Sequence, residues 1–214
     1  MTISALVLLI VASARADAND ACRGRSEEVR SIAAADQAER QGADGKPKPA
    51  SEIDWNAAAK RDRERRARIA EIFAEGCLTS ADDFAGAALV YQHGDALADY
   101  LQAYTLSMKA AALGREASKS LAAAALDRYL MHQGRRQLYA SQAVTRAGCV
   151  CLWPVEESAT DEDRRRMLRP SLSEELDWVD SLNDAAGKSS CPKRAICSDE
   201  ASPVPHGSVK GVPW

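Results

Sequence analysis

Aromatic side chains are scarce in this chain, at 5% of 214 residues and with only two Phe. Alanine fills the space instead. Ala adds little bulk and loses no rotamer entropy, so an Ala-rich chain favours closely packed helices. A strong charge excess is missing too. The formal net charge is -3, which provides no global basic field to hold nucleic acid. The sequence contains no GxSxG, HExxH, P-loop or GxGxxG pattern, so the common hydrolase, zinc-protease, nucleotide and dinucleotide signatures are absent. Beyond the N-terminus no apolar run is long enough to cross a bilayer.

The one long apolar run lies at the start, "ISALVLLIVA" (Ile3 to Ala12). It is too short to span a membrane and suits the core of an export signal. "ASARADA" follows, with small-x-small cleavage sites after Ala16 or Ala18. No Lys or Arg precedes the run, which departs from the usual charged start. The reading is a signal peptide over 1–18 and a periplasmic or secreted mature protein.

Six cysteines suit that compartment: Cys22, Cys77, Cys149, Cys151, Cys191 and Cys197. An even count in an exported chain reads as disulfides. Cys149 and Cys151 are too close in sequence to bridge each other without strain, so each needs a distant partner. The expected pairing joins them to Cys191 and Cys197, with Cys22 joined to Cys77. A zinc site built from the same late cysteines is the competing arrangement, although no CxxC knuckle is present.

Helical periodicity organises the middle of the chain. A helix is expected from Ser26 to about Arg40, then a Gly/Pro loop from Gln41 to Ser51. Ser51 with Asp54 reads as an N-cap, and the next helix should run to about Glu75 before Gly76. It contains "KRDRERRAR" (Lys60 to Arg68), read as a solvated face with i,i+4 pairs such as Asp62–Arg66 and Glu64–Arg68, the alternative being an anion-binding or nucleic-acid face. Three further helices should end at Gly94, Gly114 and Gly134. Short loops between them predict antiparallel neighbours. One or two more helices, broken at Pro170, should follow. From about residue 183 a Pro/Gly/Ser-rich segment reads as a stapled, then flexible, tail. The expected fold is all-α: antiparallel helical hairpins in a bundle or short repeat-like array, as one domain over 19–182 with a disulfide-stapled tail over 183–214. The segment "AYTLSMKAAALG…LAAAALDRYLMHQG" resembles a tetratricopeptide- or Sel-type hairpin.

Few residues could carry chemistry. His93 sits in "YQHGD", two residues before Asp95; it could serve as a base or metal ligand, or as a cation at a helix C-terminus. Asp127 and Arg128 interrupt an Ala-rich helix that should be buried, so they must be paired or face a cleft. Gln137, Tyr139, Ser141 and Gln142 supply polar groups directly afterwards. The candidate polar site is therefore His93, Asp95, Asp127, Arg128, Gln137, Tyr139 and Gln142. Whether the helix ends at Gly94 and Gly134 meet decides whether it is one site.

The blocks "RDRERRARIAEIFAEG", "ADDFAGAALVYQHGD", "LDRYL" and "GRRQLYASQ" resemble a bacterial domain family without an assigned activity. Its pattern is a basic helix, a QHGD block, and LDR followed by G..Q.YGTQ, matched here over about residues 61–142. This chain departs at Ala140 and Ser141, where Gly-Thr is usual. The resemblance implies a helical fold and attention to His93, Asp95, Asp127, Arg128 and Gln142, but no reaction.

The leading expectation is an exported helical binding or protein-interaction module. Its expected partner is a protein or peptide, with no nucleic acid, no cofactor, no metal, and no membrane once the leader is removed. The alternative is a periplasmic hydrolase or lyase, with His93 as base and Asp127–Arg128 holding an anionic substrate. A structural metal protein is a third possibility.

Overall fold

The structure is a computed structural model that describes residues 22, 24–198, 201–209 and 212. The expected leader, 1–18, lies outside the described residues. Seven α-helices run α1 (24–40), α2 (Trp55–Ala74), α3 (Ala81–Gln92), α4 (Leu97–Ala112), α5 (Ser118–His132), α6 (Asp161–Arg166) and α7 (Leu172–Ala185). The chain is mostly helical, but not wholly so. Ala143–Arg146 (β1) and Cys149–Leu152 (β2) pair antiparallel as a two-stranded hairpin. This corrects the all-α expectation. The turn is two residues, Ala147 and Gly148, both with positive φ, as a tight hairpin matching strand twist requires.

Local chemistry fixes the helix ends. Asp54, rather than Ser51, caps α2 by accepting from Ala57 N–H, and Ser51 falls in a short 3-10 turn. Ser80 and Asp83 form a reciprocal capping box at α3. Helices α3, α4 and α5 follow one another through short connections and pack as neighbours. Val29 and Ala33 of α1 join Ile69 and Ile72 of α2, Phe84, Ala87, Ala88 and Val90 of α3, and Leu106 and Ala110 of α4 in the main core.

Only part of the basic run is a solvated face, formed by Lys60, Arg61, Arg63 and Glu64. Arg61 and Arg65 pair with Glu39 of α1, Arg68 with Glu28, and Asp62 with Arg40 and Arg65. The expected i,i+4 partners are engaged elsewhere: Arg66 turns to Asp95 and Asp99, and Glu64 to Lys60. Charge, not hydrocarbon, joins the outer half of α1 to α2.

All three disulfides join the expected partners: Cys22–Cys77, Cys149–Cys191 and Cys151–Cys197. None of the six thiols remains for a zinc site. Bonds of this kind fit an oxidising compartment. No helix among the described residues is long and apolar enough to cross a membrane.

The described residues of the late segment are bonded to the body. Helix α7 itself continues past the expected boundary at 182/183, to Ala185. Leu152 N–H donates to Ala195 O and Cys197 N–H to Leu152 O. Arg136 N–H donates to Ser202 O, and Ser202 N–H to Gly134 O. Val204 and Val212 are buried with Leu126, Leu130 and Leu138 of the second core cluster. Composition suggested looseness, but the backbone bonds and two buried valines hold the segment to the body.

Candidate functional site

A cavity of about 560 Å3 opens between α1, the loop after it, α2, the turn after α3, and α5. Volumes of this size hold small organic ligands. Arg40, Lys48, Asp62, Arg66, His93, Asp95 and Arg128 supply its polar lining, and Pro47, Ile53, Trp55 and Ala59 an apolar part.

The "QHGD" turn forms one edge. His93 is the C-cap of α3, and Gly94 follows it. A Cβ at Gly94 would lie 2.2 Å from Asp99 Cβ, so only glycine lets the turn approach α4 this closely. Asp99 in turn accepts from the Asp95 and Ala96 N–H groups. Arg66 latches the turn from α2: it donates to His93 O at 3.2 Å and to Asp95 Oδ1 at 3.1 Å.

His93 Nδ1 lies 2.8 Å from Asp36 Oδ2, and Asp36 is fully buried. A carboxylate at that distance holds the Nδ1–H tautomer and leaves Nε2 as the basic nitrogen. Asp36 also accepts from Arg40 and Gln37. Asp36 is absent from the sequence-derived site. One signal pointed to it: "AAADQAER" places an acid among alanines, the same anomaly as Asp127 in α5.

The helix ends at Gly94 and Gly134 do meet. Arg128 Nη1 donates to Gln92 O at 2.7 Å, across from α5 to the end of α3. Tyr100 Oη lies 3.0 Å from Gly94 O and 3.2 Å from His132 Nε2. Burial, and then the Arg128 cation, hold the His132 pKa below its usual value. Burial likewise pushes the Tyr100 hydroxyl up, opposed by Arg128.

The expected residues separate into four groups. His93, Asp95 and Arg128 line the cavity. Gln142 stands behind Arg128: its Oε1 accepts from Arg128 Nε at 3.3 Å, and its Nε2 donates to Ala124 O. Asp127 and Gln137 are wholly buried and structural. The Asp127 carboxylate accepts from the N–H groups of Leu138, Tyr139 and Ser141 and from Ser141 Oγ. Burial pushes its pKa up, and these donors pull it back toward the ionised form. Gln137 donates to Gln142 O and Trp153 O and accepts from Gln142 N–H. Tyr139 looks into a different cavity, beside Tyr104, Met167 and Val212. The expected pairing of Asp127 with Arg128 as one anion clamp is therefore not what the fold builds. Asp127 shapes the loop that carries Gln142, and Gln142 steadies Arg128.

Ala140 lies within that loop at φ 58°, fully buried. This is the left-handed region that favours glycine.

Arg40, Lys48, Trp55, Asp62 and Arg66 also escaped the sequence reading. Lys48 comes from the loop and Asp62 and Arg66 from the basic run, while Arg40 ends α1 and Trp55 begins α2. Among the described residues no group of three or more His, Cys, Asp or Glu side chains is placed to hold a metal ion. Comparison with protein-family models, curated proteins and solved structures finds no match for this chain.

Proposed function

We propose that this is an exported, periplasmic or secreted, helical binding protein whose cleft grips a ligand through an anionic group, with Arg128 as the anchor. Export is supported by the sequence of residues 1–18 and by the three disulfides. The observation that carries the binding reading is the state of Arg128. Its hydrogen-bond partners are two neutral oxygens, Gln92 O and Gln142 Oε1, while Arg40 and Arg66 in the same lining are bound to carboxylates. Burial lowers its pKa, opposed by the Tyr100 hydroxyl and not by any carboxylate. A buried cation without an anion is costly, and a ligand anion would relieve that cost. The resemblance blocks support the same location, since His93, Gly94, Asp95, Arg128 and Gln142 all fall within them.

Isothermal titration calorimetry of the disulfide-bonded chain against small carboxylates and phosphates tests this. Saturable binding is expected, weakened about tenfold or more by Arg128→Gln, as loss of a charge-assisted bond implies. Absence of saturable binding by every anion in the panel would remove the reading.

One observation favours the second reading, a hydrolase or lyase. His93 is oriented by buried Asp36, with Nε2 left as the base, in the same cavity as Arg128. In that reading His93 takes a proton, Asp36 fixes its tautomer, Arg128 holds the substrate anion, and Asp127 has no direct part.

A further inference from the structure

The geometry points to a phosphate monoester with a flat organic body as the ligand of this cleft, its phosphate held between Arg128 and Lys48 and its body against Trp55. This rests on the anion-binding reading above and narrows it.

Four cations line the cavity: Arg40, Lys48, Arg66 and Arg128. Two are already neutralised. Arg40 pairs with Asp36 and Asp62, and Arg66 with Asp95 and Asp99. That also accounts for both acids in the lining, Asp62 and Asp95. Two cations remain. Lys48 Nζ donates only to backbone, to Ala38 O at 3.2 Å and Glu39 O at 3.3 Å. Arg128 donates to Gln92 O and Gln142 Oε1.

These bonds have a structural use: Ala38, Glu39 and Gln92 carry last-turn carbonyls of α1 and α3, where cations offset the helix dipole. They do not exhaust the donors. A guanidinium has five N–H groups and an ammonium three. With two used on each, three remain on Arg128 and one on Lys48. A carboxylate on Arg128 would be satisfied by a bidentate fork and would leave Lys48 uncompensated. A phosphate monoester near neutral pH carries close to two negative charges on three terminal oxygens, which matches two cations and four donors. The remaining lining is apolar: Pro47, Ile53, Trp55 and Ala59. Trp55 is 53% exposed, on the apolar side of the lining where a flat group would lie.

The test is calorimetric titration of the full disulfide-bonded chain with phenyl phosphate, benzoate and inorganic phosphate. Phenyl phosphate should bind about tenfold more tightly than benzoate, the difference one extra charge-assisted contact makes. Lys48→Met should remove that advantage and leave benzoate affinity little changed. Trp55→Ala should weaken phenyl phosphate and spare inorganic phosphate. Circular dichroism melts establish that each variant is folded, and Lys48 and Trp55 both lie outside the buried core. Benzoate binding as tightly as phenyl phosphate, or Lys48→Met weakening both alike, would overturn the phosphate assignment while leaving an anion site in place. Failure of all three ligands would remove both.

Discussion

His93 and Asp36 stand 57 residues apart in the chain and 2.8 Å apart in space, joining the end of α3 to the last turns of α1. The contact has a spectroscopic consequence. Neutral His93 should carry its proton on Nδ1, because Asp36 can only accept there. Long-range proton–nitrogen NMR of the imidazole reads the tautomer directly. Asp36→Asn should lose the preference and cost about 3 kcal/mol, since Arg40 also loses one of its two buried partners. An Nε2–H tautomer in the unaltered protein would contradict the assignment.

Asp127→Asn should be among the most damaging single substitutions. Both carboxylate oxygens are used, and an amide would turn an N–H group toward donors of the 138–141 loop. A loss of about 3 kcal/mol is expected by chemical denaturation, with weaker anion binding following from displacement of Gln142. A variant as stable as the parent would show that the carboxylate does not hold this loop.

Ala140 offers a test of opposite character. Left-handed backbone costs an L-residue roughly 1–2 kcal/mol, whereas Gly there loses a buried methyl and gains unfolded-state entropy. The terms nearly cancel, so Ala140→Gly should change stability by less than about 1 kcal/mol. Ala140→Val, with a branched Cβ at φ 58°, should lose several times more. Equal effects from the two would mean that the loop relaxes out of this conformation.

Acid should act first on the α1–α2 contact. Arg68 and then Arg25 bring Glu28 from 4.5 down to about 2, against some burial. Burial opposes ionisation of Glu39, but Arg65 and Arg61 outweigh it and also bring it from 4.5 to about 2. Carboxylates depressed in the folded state contribute fully above the unfolded value, and that contribution is lost as pH falls through the folded one. Stability should therefore decline between about pH 4.5 and 2, and less steeply in Glu28→Gln/Glu39→Gln. Denaturant midpoints measured across that range give the slope. An unchanged slope in the double variant would show that these pairs do not set the acid limit.

Much of the helical frame could be read from the chain because its punctuation is local. Gly114 and Gly134 take positive φ just beyond their helices, and Ser80 with Asp83 announces α3. The Asp127–Arg128 anomaly was equally visible, but its division was not. Adjacent helical residues point about 100° apart, so one faces the core and the other the cleft. Asp36 and Lys48 reach the site only through tertiary packing, which no spacing rule encodes. The hairpin is faint in "VTRAGCVCL" because each strand has only four residues and the turn is Ala-Gly, not the Asn-Gly or Asp-Gly that marks such turns.

The charged layer between α1 and α2 also determines which substitutions that wall can accept. Hydrocarbon cores tolerate exchange among residues of similar volume. Arg40 instead reaches Asp36 through one terminal nitrogen and Asp62 through the other. Lysine keeps the charge but has a single nitrogen, so an exchange conservative elsewhere would unfasten one of the two acids. At this wall of the cleft, side-chain geometry outranks both charge and size.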